Sequence, residues 1–370
     1  MANGKGGAIL RERFRPVYVQ SMAAVTPEYA SADALWEAWI SGGKEMRPRL
    51  PGAGAWGRLT GAAIEAALAG AGVEGRACSL ILATTKGDIE RQVAWMRGAD
   101  AIGAEKLDWP VPTLSQALVQ MIESHGFRPP CYTVSTACSS GIVALIEAAL
   151  LVQSGDAEAV LALGADVAGD FVMDGFGALK AVTATRCRPF DRGRDGLMLG
   201  SGAAACVVSG RPAEVAIVGV GIANDATHMT APDREAGGLI RAIAAALESA
   251  GLEAGAIDAI VAHGTGTKYN DAMEATAFSK IFGGRATITG IKGLIGHTLG
   301  ASGLMESVMA MRMLREQVVP AVTGLQDPEM DNLNFVVNQM RPMKLRHVLK
   351  VASGFGGMNA AIVLKLEGAG

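Results

Sequence analysis

Apolar positions along the chain fall into two kinds of run, and the two kinds alternate. Short stretches rich in β-branched residues or Ala, at residues 17–22, 80–83, 202–209, 214–220, 260–262 and 359–366, have the length and composition of strands. Longer stretches at 59–71, 142–153, 237–249 and 304–314 are apolar enough, and long enough, for helices. Strands alternating with helices predict an α/β fold with parallel sheets covered on both faces.

The order of these runs is stated twice. An opening strand (17–22, then 214–220) is followed by a helix (59–71, then 237–249). A β-rich run with a Thr/Gly tail comes next, Leu80-Ile-Leu-Ala-Thr-Thr-Lys-Gly in one half and Ile260-Val-Ala-His-Gly-Thr-Gly-Thr-Lys in the other. A small-residue turn then opens a long helix, Ala137-Cys-Ser-Ser-Gly before 142–153 and His297-Thr-Leu-Gly-Ala-Ser-Gly before 304–314, and each half closes on a strand. The repeat predicts a duplicated βαβ-rich unit, with two sheets side by side and helices between and outside them. Arg211-Pro-Ala breaks the first closing strand, so the halves are placed at 17–212 and 213–370, after a Gly-rich and then basic extension over 1–16 that is expected to be flexible.

Composition narrows the class. Half of the 370 residues are apolar, Gly reaches 48 and aromatics only 5%, which favours close packing of small side chains. A net charge of −3 without a Lys/Arg run excludes a nucleic-acid footprint. Five cysteines at irregular spacing, with no CxxC pair, fit a reduced, cytoplasmic setting and offer no zinc or redox site. The apolar stretches are broken by Glu147, Asp156, Glu158 or Glu306, so no membrane span is expected, and no apolar h-region follows the basic start.

Four segments carry chemistry. In Val134-Ser-Thr-Ala-Cys-Ser-Ser-Gly-Ile-Val a strand ends, Cys138 sits in the turn, and an amphipathic helix begins. Unpaired backbone N–H groups and the positive helix end would lower the pKa of that thiol and favour thiolate. The other cysteines lack this setting and read as small core residues. His263 follows a strand in Ala262-His-Gly-Thr-Gly-Thr-Lys-Tyr-Asn-Asp, at the carboxyl end of a parallel sheet, where ligands bind. Its neighbours Thr265 and Thr267 supply hydroxyls for an amide-bearing ligand. His297 lies in Ile291-Lys-Gly-Leu-Ile-Gly-His-Thr-Leu-Gly-Ala-Ser-Gly, five residues past Lys292. Glu306 follows on an apolar helix face, where an unpaired carboxylate would be costly, and Lys292 is its evident partner. Ser353-Gly-Phe-Gly-Gly-Met-Asn-Ala is a loop with exposed backbone N–H groups.

Together these segments resemble the elongating β-ketoacyl-[acyl-carrier-protein] synthases of the thiolase-like superfamily. The TACSSG turn reads 136–141, the HGTGT-x-x-x-D-x-x-E segment 263–267 with Asp271 and Glu274, the K-x-x-x-x-GH-x-x-GA-x-G segment 292–303, and the GFGG loop 354–357. Further matches are Gly175-Phe-Gly-Ala-Leu-Lys and Arg188-Pro-Phe-Asp-Arg-Gly-Arg-Asp-Gly. The resemblance covers nearly the whole chain. It implies a five-layered αβαβα sandwich built of two βαβαβ-type halves. It also implies decarboxylative condensation of an acyl group, held on Cys138, with a malonyl unit on acyl carrier protein.

By that resemblance His263 and His297 stabilise the enolate, Lys292 and Glu306 support them, and the backbone N–H groups of Cys138 and Phe355 form an oxyanion hole. Phe355 and Phe176 resemble gate residues beside the acyl channel, and Gly356, Thr265 and Thr267 would line the substrate path. Lys180, with Arg186 and Arg188 nearby, matches a basic position that meets the carrier. No cofactor or metal is expected: substrates arrive on the carrier's phosphopantetheine, and the Asp271 and Glu274 pair reads as structural. A dimer is implied, either with itself or with a second ketosynthase-like subunit.

Departures from the family pattern are Ser21-Met-Ala-Ala after the first strand, Lys268 where proline is usual, and Ser201 where an acid is usual. They leave the catalytic set intact and leave room for a specialised pathway, such as a polyene or polyketide-like system. Two other readings stay open: a chain-length-factor-like partner subunit, which would characteristically lack the cysteine, and a thiolase-like acyltransferase or decarboxylase using the same cysteine without chain extension.

Overall fold

The computed structural model describes residues 14–42, 54–99 and 113–368. In the first half the order is β1 (Val17–Val25), α1 (Ala32–Ile40), α2 (Ala55–Ala71), β2 (Ser79–Ala83), α3 (Ile89–Ala99), α4 (Leu114–His125), β3 (Cys131–Val134), α5 (Ser140–Ser154), β4 (Ala159–Asp166), α6 (Asp170–Ala178) and β5 (Gly202–Ser209). The second half runs β6 (Val215–Asn224), α7 (Gly237–Ala250), β7 (Ala259–Val261), α8 (Lys268–Phe282), β8 (Thr287–Thr289), α9 (Lys292–Ile295) and α10 (Ser302–Glu316). Short strands β9 (Val318–Val319), β10 (Asn334–Phe335) and β11 (Arg341–Pro342) precede β12 (His347–Gly354) and β13 (Met358–Leu366).

The duplication is topological. Strand order is β3-β2-β4-β5-β1 in the first half and β8-β7-β12-β13-β6 in the second, the same sequence of moves, with β10 added at the far edge. Towards the two ends of this order, β3, β2 and β4, and β10, β8, β7 and β12, pair parallel; β4 with β5, β5 with β1, β12 with β13 and β13 with β6 are antiparallel. The parallel expectation is corrected for those central strands. The short loop between β12 and β13 shows the reason: so tight a turn can join only antiparallel neighbours. Nor are the two sheets separate, because β1 and β6 pair antiparallel over Val17↔Ile217, Tyr18↔Ala216 and Val19↔Val215, which makes one continuous eleven-stranded sheet.

Helices complete five layers. The middle layer holds α5 and α10, in one core with strands from both halves. The core outside the first half includes Ala63, Ile64, Ala67 and Leu68 of α2, and that outside the second half includes Leu239, Ile243, Ala277 and Phe278 of α7 and α8. The fold is the thiolase-like αβαβα sandwich. Helix α5 is not amphipathic, since residues 140–146 are all buried. That setting also accounts for Ala137–Ser154, which does reach the length and apolarity of a membrane span: it is a core helix, clad by protein.

The two central helices touch at glycines. A Cβ on Gly141 would stand 2.7 Å from the carbonyl of Gly300 and from the amide of Leu304, and one on Gly303 would stand 2.8 Å from the amide of Ile142. Without side chains there, the N-terminal ends of α5 and α10 approach to backbone contact. Residues 1–13 of the expected extension lie outside the described residues. Phe14 is buried in the middle layer, and its amide donates to the carbonyl of Ser249.

Candidate active site

The nucleophile turn leaves β3 and enters α5 through Ala137, whose φ of 52° is in the left-handed region. A non-glycine residue held there costs about 1–3 kcal/mol, so the surrounding contacts must impose it. Ser140 supplies two: its hydroxyl donates to the carbonyl of Ala137 at 2.6 Å and accepts from the amide of Thr136 at 2.9 Å. The result raises Cys138 above the end of α5. Across the site, Gly354 leaves room for the turn, with a Cβ there only 2.7 Å from the carbonyl of Thr136 and 3.2 Å from the amide of Cys138.

The sulfur of Cys138 accepts from the backbone N–H groups of Phe355 and of Cys138 itself. Two donors from separate segments therefore converge on the sulfur. The expected thiolate is corrected: burial pushes the thiol up to about 12, and the positive charge of Lys292 and these N–H groups offset only part of that. At neutral pH Cys138 is a thiol and needs a proton acceptor when it reacts.

His263 and His297 stand edge to face beside it, with ring centroids 5.1 Å apart and an angle of 85°. Both are buried, and burial, then the charge of Lys292, holds both imidazoles neutral to well below pH 6.5. The ammonium of Lys292 donates to Nδ1 of His263 at 3.2 Å. A nitrogen that accepts from an ammonium carries no proton, so the proton of His263 sits on Nε2. For His297 the corresponding neighbour is the Ser302 hydroxyl, 3.3 Å from Nδ1 and 3.0 Å from Oε1 of Glu306.

Behind the rings, Lys292 bonds to the carboxylate of Glu306 and to the carbonyl of His263. The predicted pair is therefore present. What sequence reading missed is Lys350, on β12, which is fully buried and stands 2.6 Å from the other oxygen of Glu306. Its signal was a lone lysine in an otherwise apolar strand, His347-Val-Leu-Lys-Val-Ala. Asp271 and Glu274 shape the loop after His263: Glu274 accepts the amides of His263 and Gly264 at 2.6 and 2.7 Å, and Asp271 accepts those of Thr265 and Phe190 at 3.0 and 2.8 Å. Among the described residues no group of metal-ligating side chains occurs.

Cys138, His263 and His297 line one cavity of about 410 Å³, together with Thr265, Thr267, Phe176, Lys180 and Phe355. Phe176 and Phe355 stack over it, centroids 5.7 Å apart. Gly356 does not line it, because φ of +82° turns its amide outward to the carbonyl of Met229 at 2.7 Å. Arg186 and Arg188 also stand off the lining. Arg186 reaches Gln326 at 3.1 Å, and Arg188 lies 3.8 Å from Asp195. Lys180 is exposed at the mouth, with Lys268 and Tyr269 opposite.

The description "Beta-ketoacyl synthase, N-terminal domain" matches residues 58–213, and "Beta-ketoacyl synthase, C-terminal domain" matches residues 215–326. This chain belongs to the β-ketoacyl synthase family. Among the family's curated members, 3-oxoacyl-[acyl-carrier-protein] synthase 2 of Coxiella burnetii is 36% identical over 259 residues, covering 65% of this chain and 63% of that protein. Nodulation protein E of Rhizobium sp. (strain N33) is 34% identical over 283 residues, 73% of this chain and 69% of that one. The match thus spans less than two thirds of the Coxiella relative. Over the fold, a ketosynthase in complex with its chain length factor from Xenorhabdus doucetiae superposes with a TM-score of 0.82 at 26% identity, covering 95% of this chain and 98% of that one. The ketosynthase fold is thus matched over 95% of the chain.

Proposed function

We propose that this β-ketoacyl synthase family member joins an acyl thioester to malonyl-[acyl-carrier protein] by decarboxylative condensation, giving a 3-oxoacyl-[acyl-carrier protein]. The observation that carries the reading is the shared cavity, where one sulfur with two backbone donors faces two imidazoles held neutral. In the first stage Cys138 attacks the acyl carbonyl. Its proton passes to a neutral imidazole and on to the departing carrier thiolate, and the S–C bond to the carrier breaks as that to Cys138 forms. The amides of Cys138 and Phe355 hold the tetrahedral oxyanion.

In the second stage the malonyl C–C bond breaks, carbon dioxide leaves, and the electron pair becomes an enolate at the thioester. Nε2–H of His263 and the imidazole of His297 would donate to its oxygen. The enolate carbon attacks the acyl carbonyl, Cys138 leaves as thiolate, and one proton restores the thiol. Phe176 and Phe355 would gate the entrance, Thr265 and Thr267 would meet the amide-bearing arm, and Lys180 would face the acidic carrier. No dissociable cofactor enters. Free cysteines at all five positions support a reducing compartment, and we assign the cytoplasm.

For assembly we infer a dimer, in keeping with the ketosynthase and chain length factor complex named for the Xenorhabdus structure. The presence of Cys138 favours the catalytic side of such a pair. The test is to incubate the protein with acyl-carrier and malonyl-carrier substrates and weigh the carriers intact. A 3-oxoacyl carrier supports condensation; malonyl loss with no extension would make the chain a decarboxylase; acyl exchange alone would make it an acyltransferase; and inertness without a second subunit, relieved by one, would make it a partner subunit.

A further inference from the structure

The carboxylate of Glu306 is the hub of the site. Its Oε1 takes Lys292, which reaches His263, and the hydroxyl of Ser302, which reaches His297. Both imidazoles are thus held through one oxygen. A glutamate carboxylate turns about a broad, two-fold terminal torsion, so that oxygen stays in place only if the other is held too. Lys350 is the group that faces it, from the opposite side, at 2.6 Å.

The setting of Lys350 is built for a cation. Around its ammonium stand four oxygens: Oε2 of Glu306, the carbonyls of Val261 at 3.4 Å and Ala262 at 3.3 Å, and the carbonyl of Val351. Val261 and Ala262 are the last residues before His263, so the same ammonium also ties down the backbone that carries the first imidazole. Burying a lysine completely is costly without such partners, and as a simple core filler an apolar side chain would serve better.

We propose that Lys350 is a positioning residue for the condensation: its ammonium fixes Oε2 of Glu306 and the chain end before His263, so that Lys292 and Ser302 present both imidazoles to the cavity in one arrangement. The proposal rests on the condensation reading. Lys350 touches no reacting atom. Its charge has a second consequence, since the groups facing His263 and His297 are Lys292 from α9, Glu306 and Ser302 from α10, Glu274 and Asp271 from α8, and Lys350 from β12. Lys350 adds a second positive charge beside two imidazoles that must stay neutral, and its field acts on both in the same direction as that of Lys292.

The test compares wild type with Lys350→Met and Lys350→Gln, the latter keeping an amide for Glu306 if the former does not fold. Two rates are read by intact mass: acylation of Cys138, and 3-oxoacyl formation from pre-acylated enzyme. Displacing a reacting group costs about 10- to 100-fold, and that loss is expected in kcat of the second step, where both imidazoles act, with a smaller loss in acylation, where one imidazole takes the thiol proton, and KM for the malonyl carrier unchanged. The acid limb of the second step should move to higher pH, because removing a positive charge makes the imidazoles easier to protonate. Ammonium ion should restore part of the rate to Lys350→Ala and none to wild type. Wild-type kcat with an unmoved acid limb in a folded variant would overturn the proposal, as would a parallel loss in both steps that ammonium does not restore. Failure of wild type itself to condense would instead overturn the function, before any variant is compared.

Discussion

Gly141 and Gly303 bring the two halves of the chain into register, each lying against the backbone of the opposite central helix. Through that contact the start of α5, with Cys138, and the start of α10, just after His297, share one cavity. The site is therefore a property of the interface between the repeats.

Gly141→Ala tests the contact. Its Cβ would meet two backbone atoms at 2.7 Å, which cannot turn aside as a side chain could. Overpacking of this kind costs about 1–3 kcal/mol. A lower urea midpoint with an unchanged slope is expected, together with a larger loss of condensation than of stability; an unchanged midpoint would show that the helices part freely.

Removing the hub should cost more. In Glu306→Gln two buried ammonium groups, Lys292 and Lys350, lose their counter-charge. Breaking a buried ion pair on one side destabilises by about 3–5 kcal/mol. Urea unfolding reads this directly, and a loss below about 1 kcal/mol, typical of exposed pairs, would contradict it.

The neutral imidazoles set a pH dependence. His263 and His297 have folded values well below the ordinary 6.5, chiefly through burial, so the unfolded chain binds more protons than the native one as pH falls below that figure. Stability is full above pH 6.5 and is lost progressively as pH falls towards the lowered values. Activity follows the same sign: the rate should hold through pH 6.5 and decline only at lower pH. An acid limb centred at the ordinary histidine value would contradict the burial argument, as would unfolding that is independent of pH between 6.5 and 5.

Much of this was legible in the sequence. Cys138, His263 and His297 stand in short local segments at strand ends or helix starts, and the resemblance of those segments, with Lys292, to one family's motifs in order implied a single site. Glu306 could be paired with Lys292 because a carboxylate on an apolar helix face demands a partner. Lys350 escaped for the converse reason: its partner lies on a helix 44 positions earlier, and only the sheet order shows that β12 passes behind it. The thiol was misjudged because a helix N-terminus is visible in sequence while burial is not, and burial wins. The antiparallel central strands were missed because alternation of elements reveals the layers but not the strand directions.

Replacing either imidazole separates the two stages. His263→Ala removes the Nε2–H donor that Lys292 fixes, and losing one such donor costs about 100- to 1,000-fold. Enolate formation should fall by that factor while His297 remains to take the thiol proton and the amides of Cys138 and Phe355 still support acylation. Equal loss of both stages would place His263 in the acylation step instead.

The most direct measurement of the central claim is a chase of the isolated acyl-enzyme. Wild type is acylated, freed of excess donor, confirmed by mass to carry the acyl group on Cys138, and mixed with malonyl carrier. The account predicts that the acyl mass leaves the enzyme and reappears on the carrier as a 3-oxoacyl group, with one carbon dioxide released for each, while Cys138→Ala gives neither adduct nor product. Condensation by Cys138→Ala, or an acyl group on Cys138 that stays put while product forms, would contradict it.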